Sequence, residues 1–145
     1  MSRPGSSGRG ERKGQRHFWI NSLSIKTDLL QDPQGIVQRI TQFGCTVFFS
    51  VPSMLIFLQA TKVIDAQALA SLKKIIFGGE GYPKIRLKQL YDELGHQTKL
   101  INVYGPTECT CICSSYEISQ SDFENLDGYP PIGKMTGNFN YYLLS

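Results

Sequence analysis

Apolar positions along the 145-residue chain fall into short blocks, and their spacing switches repeatedly between helix and strand periods. Asp32 followed by Pro33 makes a helix start, Ile36, Val37 and Ile40 give one apolar face, and Gly44 is a stop, so a short amphipathic helix is predicted there. Cys45 to Val51 is a β-branched and aromatic run between Gly44 and Pro52, which predicts a strand buried on both faces. Ser53 to Ala60 reads as a helix, and a second short helix is predicted near Ala66 to Leu72. Lys74 to Phe77 is a further apolar strand that ends on Gly78 and Gly79. Pro83 opens the clearest helix, because Leu87, Leu90, Tyr91 and Leu94 recur at steps of three and four and Gly95 closes it. Lys99 to Val103 is the next strand.

Strand, helix, strand, helix, strand in this order predicts an α/β fold, a parallel sheet with covering helices joined by right-handed crossovers. After Glu108 the pattern changes to a strand-like Cys109 to Ile118, a polar loop from Ser119 to Asp127 and a last strand from Phe139 to Leu144. No internal repeat is visible. A chain of this length, 41% hydrophobic, supports one core and not two.

Charge changes the picture at one end only. The net +3 resolves into +4 up to His17, from Arg3, Arg9, Arg12, Lys13 and Arg16 against Glu11, and −1 over the remainder. Residues 1–24 are Gly-, Arg- and Ser-rich without sustained periodicity, and are expected to be a disordered leader. A nucleic-acid arm would need interleaved aromatics and a basic face that the segment lacks, so no nucleic-acid partner is expected. No apolar run approaches the roughly 20 residues that span a bilayer, and the expectation is a soluble, cytoplasmic protein with no membrane partner. Cys45, Cys109, Cys111 and Cys113 lie in strand-like segments and are expected to be reduced thiols. The alternate spacing of Cys109, Cys111 and Cys113 places all three on one face of a strand, not in the paired pattern of structural zinc.

In open α/β sheets ligands bind beyond the carboxyl ends of the parallel strands, which directs attention to two loops. Gly78, Gly79, Glu80 and Gly81 follow the Ile75–Phe77 run. Glycines there let a flat ring or a phosphate approach the backbone, although a tight turn into Pro83 explains them equally. Asn102, Val103, Tyr104, Gly105, Pro106, Thr107 and Glu108 follow Leu100 and Ile101. Tyr104 offers a face for a base, Thr107 a donor for a phosphate and Glu108 a carboxylate for Mg²⁺. The plainer alternative is a core tyrosine and a solvated glutamate.

Asn102 to Glu108, as N-x-Y-G-P-T-E, resembles the signature of the adenylation domains of nonribosomal peptide synthetases and their free-standing relatives, the AMP-binding, adenylate-forming enzymes. Gly78 to Glu80 resembles the family's G-G-E turn, Val51-Pro52-Ser53 its V-P-S element, and Pro131-Ile132-Gly133 its P-I-G segment. The resemblance runs from about Asp32 to the C-terminus, so residues 32–145 are expected to be a partial AMP-binding domain, part of the large N-terminal domain of such an enzyme.

That resemblance implies an ATP-dependent ligase that activates a carboxylic acid, such as an amino acid, as its acyl-AMP for a thiol acceptor, a phosphopantetheine carrier protein or coenzyme A. It implies ATP or AMP and Mg²⁺ as cofactors. It puts Gly78, Gly79, Glu80, Asn102, Tyr104, Gly105 and Thr107 around the nucleotide. Tyr104 stacks on adenine, Gly79 and Glu80 line the adenine and ribose side, Thr107 touches the α-phosphate and Glu108 holds the metal, which makes Thr107 and Glu108 the catalytic candidates. The acyl pocket corresponds to Phe49, Ile76, Gly78, Val103, Cys111 and Ile112, an apolar set that suits a neutral side chain. The family's phosphate-gripping loop, ribose-binding aspartate, hinge and catalytic lysine have no counterpart in these residues. The isolated chain is therefore expected to be catalytically incomplete and sticky at its uncovered sheet faces, with a non-catalytic nucleotide-binding remnant as the alternative.

Overall fold

The computed structural model describes residues 31–109, 111–139 and 142. The predicted leader at 1–24 and most of the predicted last strand at 139–144 lie outside the described residues.

Helix α1 (Pro33–Gln42) begins where Asp32 accepts a hydrogen bond from the Gly35 N–H at 2.9 Å, with proline in the first turn, and it buries Ile36, Val37 and Ile40. Strand β1 (Val47–Ser50), helix α2 (Pro52–Ala60), strand β2 (Lys74–Gly78), helix α3 (Lys84–Leu94) and strand β3 (Lys99–Tyr104) follow, then β4 (Ser114–Glu117) and β5 (Lys134–Met135). The sheet order is β1-β2-β3-β4-β5. The first three strands are parallel, as the alternation of strands and helices predicts, whereas β4 and β5 pair antiparallel. The return over β4 needs no crossover helix, because a short loop suffices to reverse the chain.

All three helices contribute to one core against Ile75, Phe77 and Leu100, with Leu55 and Leu58 from α2 and Leu87, Leu90 and Leu94 from α3. The alternating residues Phe49, Ile76 and Ile101 are register partners across β1, β2 and β3 and point to the opposite face by the strand pleat. On that face Val47 is 50% and Phe49 55% exposed. This corrects the expectation of a first strand buried on both faces: β1 is the edge strand, and the helices cover only one side of it.

Two further expectations are corrected. Residues 66–71 form turns rather than a helix: the Asp65 carboxylate caps the amides of Gln67 and Ala68 and Leu69 bonds to the Asp65 carbonyl, but the amides of Ala70 and Leu72 then bond only three residues back, so no α-helical ladder continues. The region 109–118 is a strand only from Ser114, preceded by a 3-10 turn over Thr107–Cys109 and an irregular stretch in which Cys111 has φ +86°. The three cysteines therefore do not line one strand face. Cys111 is exposed and Cys113 buried. Within the polar loop a 3-10 turn over Gln120–Phe123 is held by a capping box between Ser119 and Asp122 and buries Phe123.

Tyr82 joins the layers. It is 1% exposed, its ring meets Phe77 edge-on at 5.1 Å, and its hydroxyl donates to the Gln59 side chain on α2 at 2.8 Å. Burial pushes its phenol pKa well above the ordinary 10.0, against a smaller lowering by Arg86. A raised folded-state pKa contributes stability that is fully present below about pH 10 and lost above it, where the unfolded chain releases the proton and the folded chain keeps it. Tyr82→Phe is expected to flatten the alkaline fall in stability, read from urea melts between about pH 9 and pH 11. An unchanged slope would show that the buried phenol does not control it.

Candidate nucleotide site at the strand ends

The carboxyl ends of β2 and β3 lie side by side, with Gly78 and Val103 as register partners. Each strand leads directly into one of the two loops singled out above. Beyond Gly78 the chain turns through Gly79, at φ +87°, to Glu80 and Gly81. Beyond Val103 come Tyr104, 47% exposed, then Gly105 and Pro106, and the 3-10 turn that presents Thr107 and Glu108 exposed at its start. An exposed aromatic ring, a hydroxyl and a carboxylate thus follow one another at the carboxyl end of the parallel strands, where adjacent backbones are fixed by the parallel ladder.

The Val51-Pro52-Ser53 and Gly78–Glu80 elements, 27 residues apart in sequence, meet here. Glu80 accepts from the Ser53 backbone N–H at 3.0 Å and from its hydroxyl at 3.1 Å. Ser53 lies in the first turn of α2, whose N-cap Val51 has no side-chain acceptor of its own. Glu80 therefore supplies from outside the helix the acceptor and negative charge that this end lacks. Both of its carboxylate oxygens are engaged in positioning the turn. Glu80→Ala is expected to lower stability by about 0.5–2 kcal/mol, in the range of lost helix caps, with Glu80→Gln retaining part of it. Thermal melts of the two variants check this, and equal melting of all three proteins would contradict it.

Asn102 is buried, and its side-chain N–H donates to the Pro131 carbonyl at 2.8 Å. Here it fastens the segment 128–133 across the strand ends. Gly105 packs on the backbone of Cys111 and Ile112, which brings those two pocket candidates up against the loop. Of the other four, Phe49 pairs with Ile76 and Gly78 with Val103 in successive rows on the open sheet face, so all four share one surface. Phe49 is more than half exposed, Ile76 half-buried and Val103 buried.

The segment 128–133 escaped the sequence reading apart from its P-I-G residues. Its Tyr129-Pro130-Pro131 run reads in sequence only as a turn, and its closeness to Gly81 is visible only in the fold. Among the described residues no group of three or more His, Cys, Asp or Glu side chains could hold a metal ion, and no helix is long and apolar enough to cross a membrane.

Residues 22–145 match the AMP-binding enzyme family, including both loops and the strands that carry them. The chain belongs to that family. Among its AMP-binding relatives, the L-proline--[L-prolyl-carrier protein] ligase of Streptomyces coelicolor is 32% identical over 100 residues, covering 69% of this chain and 19% of the ligase. Malpibaldin synthetase of Mortierella alpina is 31% identical over 120 residues, 83% of this chain and 2% of the synthetase. The chain thus spans a fifth or less of the length of these relatives. The Vibrio cholerae adenylation domain AlmE, solved in complex with glycyl-adenosine-5'-phosphate, superposes with a TM-score of 0.58 at 25% identity, covering 70% of this chain and 18% of that one.

Proposed function

We propose that residues 32–145 form the adenine-nucleotide part of a carboxylate-activating ligase, in which an amino acid or similar acid is joined to AMP and then passed to a thiol. The observation that carries this reading is the juxtaposition of the Gly78–Gly81 turn and the Tyr104–Glu108 loop on neighbouring parallel strand ends. In the first half-reaction a carboxylate oxygen bonds to the α-phosphorus of ATP, and the bond from that phosphorus to pyrophosphate breaks. In the second the thiol takes the acyl group and AMP leaves.

Tyr104 stacks on adenine, its exposed ring being the one aromatic face of the Asn102–Glu108 loop. The Gly79–Glu80 backbone lines the adenine and ribose side. Thr107 donates to the α-phosphate, whose charge grows as the nucleophile arrives, so a fixed donor there lowers the barrier. Glu108 fits Mg²⁺ as a single exposed carboxylate beside the phosphates, since that ion keeps several waters and takes one or two protein carboxylates with phosphate oxygens. Bound there, the ion neutralises phosphate charge.

The open face of Phe49, Ile76, Gly78 and Val103 receives the acid side chain, and its lack of charge selects a neutral, apolar one. The Streptomyces coelicolor ligase acts by its name on L-proline and a carrier protein, and AlmE was solved with glycyl-adenosine-5'-phosphate, which supports an amino acid and a carrier-protein thiol as the two partners. The test is a titration with non-hydrolysable acyl-sulfamoyl adenosines, which does not depend on turnover. Analogues with apolar side chains are expected to bind more tightly than AMP and than analogues with charged side chains. Equal affinity for all of them would remove the acyl pocket from this face.

A further inference from the structure

The segment from Gly128 to Gly133 runs from the start of α3 past β3 to β4 and is fastened at each of the three elements. The Gly128 carbonyl accepts from the Lys84 N–H at the start of α3 at 3.0 Å, the Pro131 carbonyl from Asn102 at 2.8 Å, and the Ile132 carbonyl from the Ser114 hydroxyl at 2.7 Å. Pro130 is buried between these anchors. The strap is rigid in composition as well, because two consecutive prolines restrict its backbone. It nonetheless leaves one large aromatic side chain outside the core: Tyr129 is 63% exposed.

One edge of that ring lies over Gly81. A Cβ placed on Gly81 would lie 2.6 Å from Tyr129 Cε1 and 3.0 Å from its Cδ1, so the ring occupies the space a side chain at position 81 would fill. Gly81 ends the Gly79–Glu80–Gly81 turn, whose middle residue is already held by the Glu80 carboxylate on Ser53. An exposed tyrosine seated on a glycine gains little from burial, which leaves its contact with the turn as the feature to explain.

We propose that Tyr129 is a positioning residue for the nucleotide: its ring braces the Gly79–Gly81 turn from the strap side and thereby fixes the backbone that faces adenine. The inference rests on the nucleotide-binding reading above. Because the ring surface is what touches Gly81, phenylalanine serves at position 129 as well as tyrosine, whereas alanine frees the turn. Gly81→Ala expels the ring from the other side. Misplacing a backbone that contacts the base weakens binding and blurs the distinction between bases together.

The experiment measures Kd for ATP and GTP on the full chain and on Tyr129→Ala, Tyr129→Phe and Gly81→Ala, beside thermal melts. Tyr129→Ala and Gly81→Ala are expected to weaken ATP roughly tenfold and to narrow the ATP-to-GTP ratio, with Tyr129→Phe restored to the parent values. A parent chain that binds ATP beside a Tyr129→Ala variant of unchanged affinity and ratio would overturn the bracing role and leave the nucleotide site standing. Loss of ATP affinity in Tyr129→Phe equal to that of alanine would overturn it too. A parent chain that binds no nucleotide would overturn the site and this inference together.

Discussion

Gly105→Ala is expected to lower adenine-nucleotide affinity on the order of a hundredfold, the scale of a site displaced by about 1 Å. An ideal Cβ at this position would stand 1.8 Å from the Cys111 carbonyl oxygen, 2.6 Å from its carbon and 2.7 Å from the Ile112 Cα. All three are backbone atoms, so no side chain can swing aside to make room. The segment they belong to is already constrained, with Cys111 at φ +86° and the Cys113 N–H bonded to the Tyr104 carbonyl at 2.9 Å. Accommodating a methyl group therefore means prising the loop away from the residue that follows Tyr104, and the tyrosine moves with it. The cost to the fold is about 1–3 kcal/mol, typical of overpacking. Calorimetric titration beside a thermal melt reads both effects. Parent-like affinity in Gly105→Ala would show that loop geometry does not set nucleotide binding.

Tyr104→Ala is expected to weaken binding by roughly 1–3 kcal/mol, the worth of a base stacked on an aromatic ring, which is about 5- to 150-fold in Kd. Tyr104→Phe keeps the ring and is expected to keep most of the affinity. With 47% of the residue exposed and no membership of the helix-side core, alanine at this position has little stability to remove, which separates a binding defect from an unfolding one. Glu108→Ala on the same loop is expected to abolish the Mg²⁺-dependent part of binding and leave the metal-independent part. If affinity is unaltered by either change, the loop is not where the nucleotide sits.

How much of this was legible in the sequence follows from what each signal measures. The α3 helix could be read because Leu87, Leu90 and Leu94 all meet the core, so the period of the sequence is the period of burial. The runs that become β2 and β3 were readable for the same reason. β1 has the same composition, but an apolar run does not say what covers it, and Phe49 proved exposed on the uncovered side. The Cys109–Cys113 stretch alternates like a strand, yet the turn at Cys111 is dictated by contact with Gly105, a tertiary constraint that spacing cannot reveal. In the candidate site, the residue types of both loops were visible. Their neighbourhood was not: the hold of Glu80 on α2 and of Asn102 on the strap joins residues 27 and 29 positions apart. Tyr129 was passed over because a Gly-Tyr-Pro-Pro sequence reads only as a turn.

The central claim, that these two strand-end loops form one adenine-nucleotide site, is tested most directly by calorimetric titration of the chain with ATP, with and without Mg²⁺. The expected result is saturable binding at one site per chain, tightened by Mg²⁺ and displaced by AMP. Absence of saturable binding, or binding that AMP does not displace and Mg²⁺ does not affect, would contradict it.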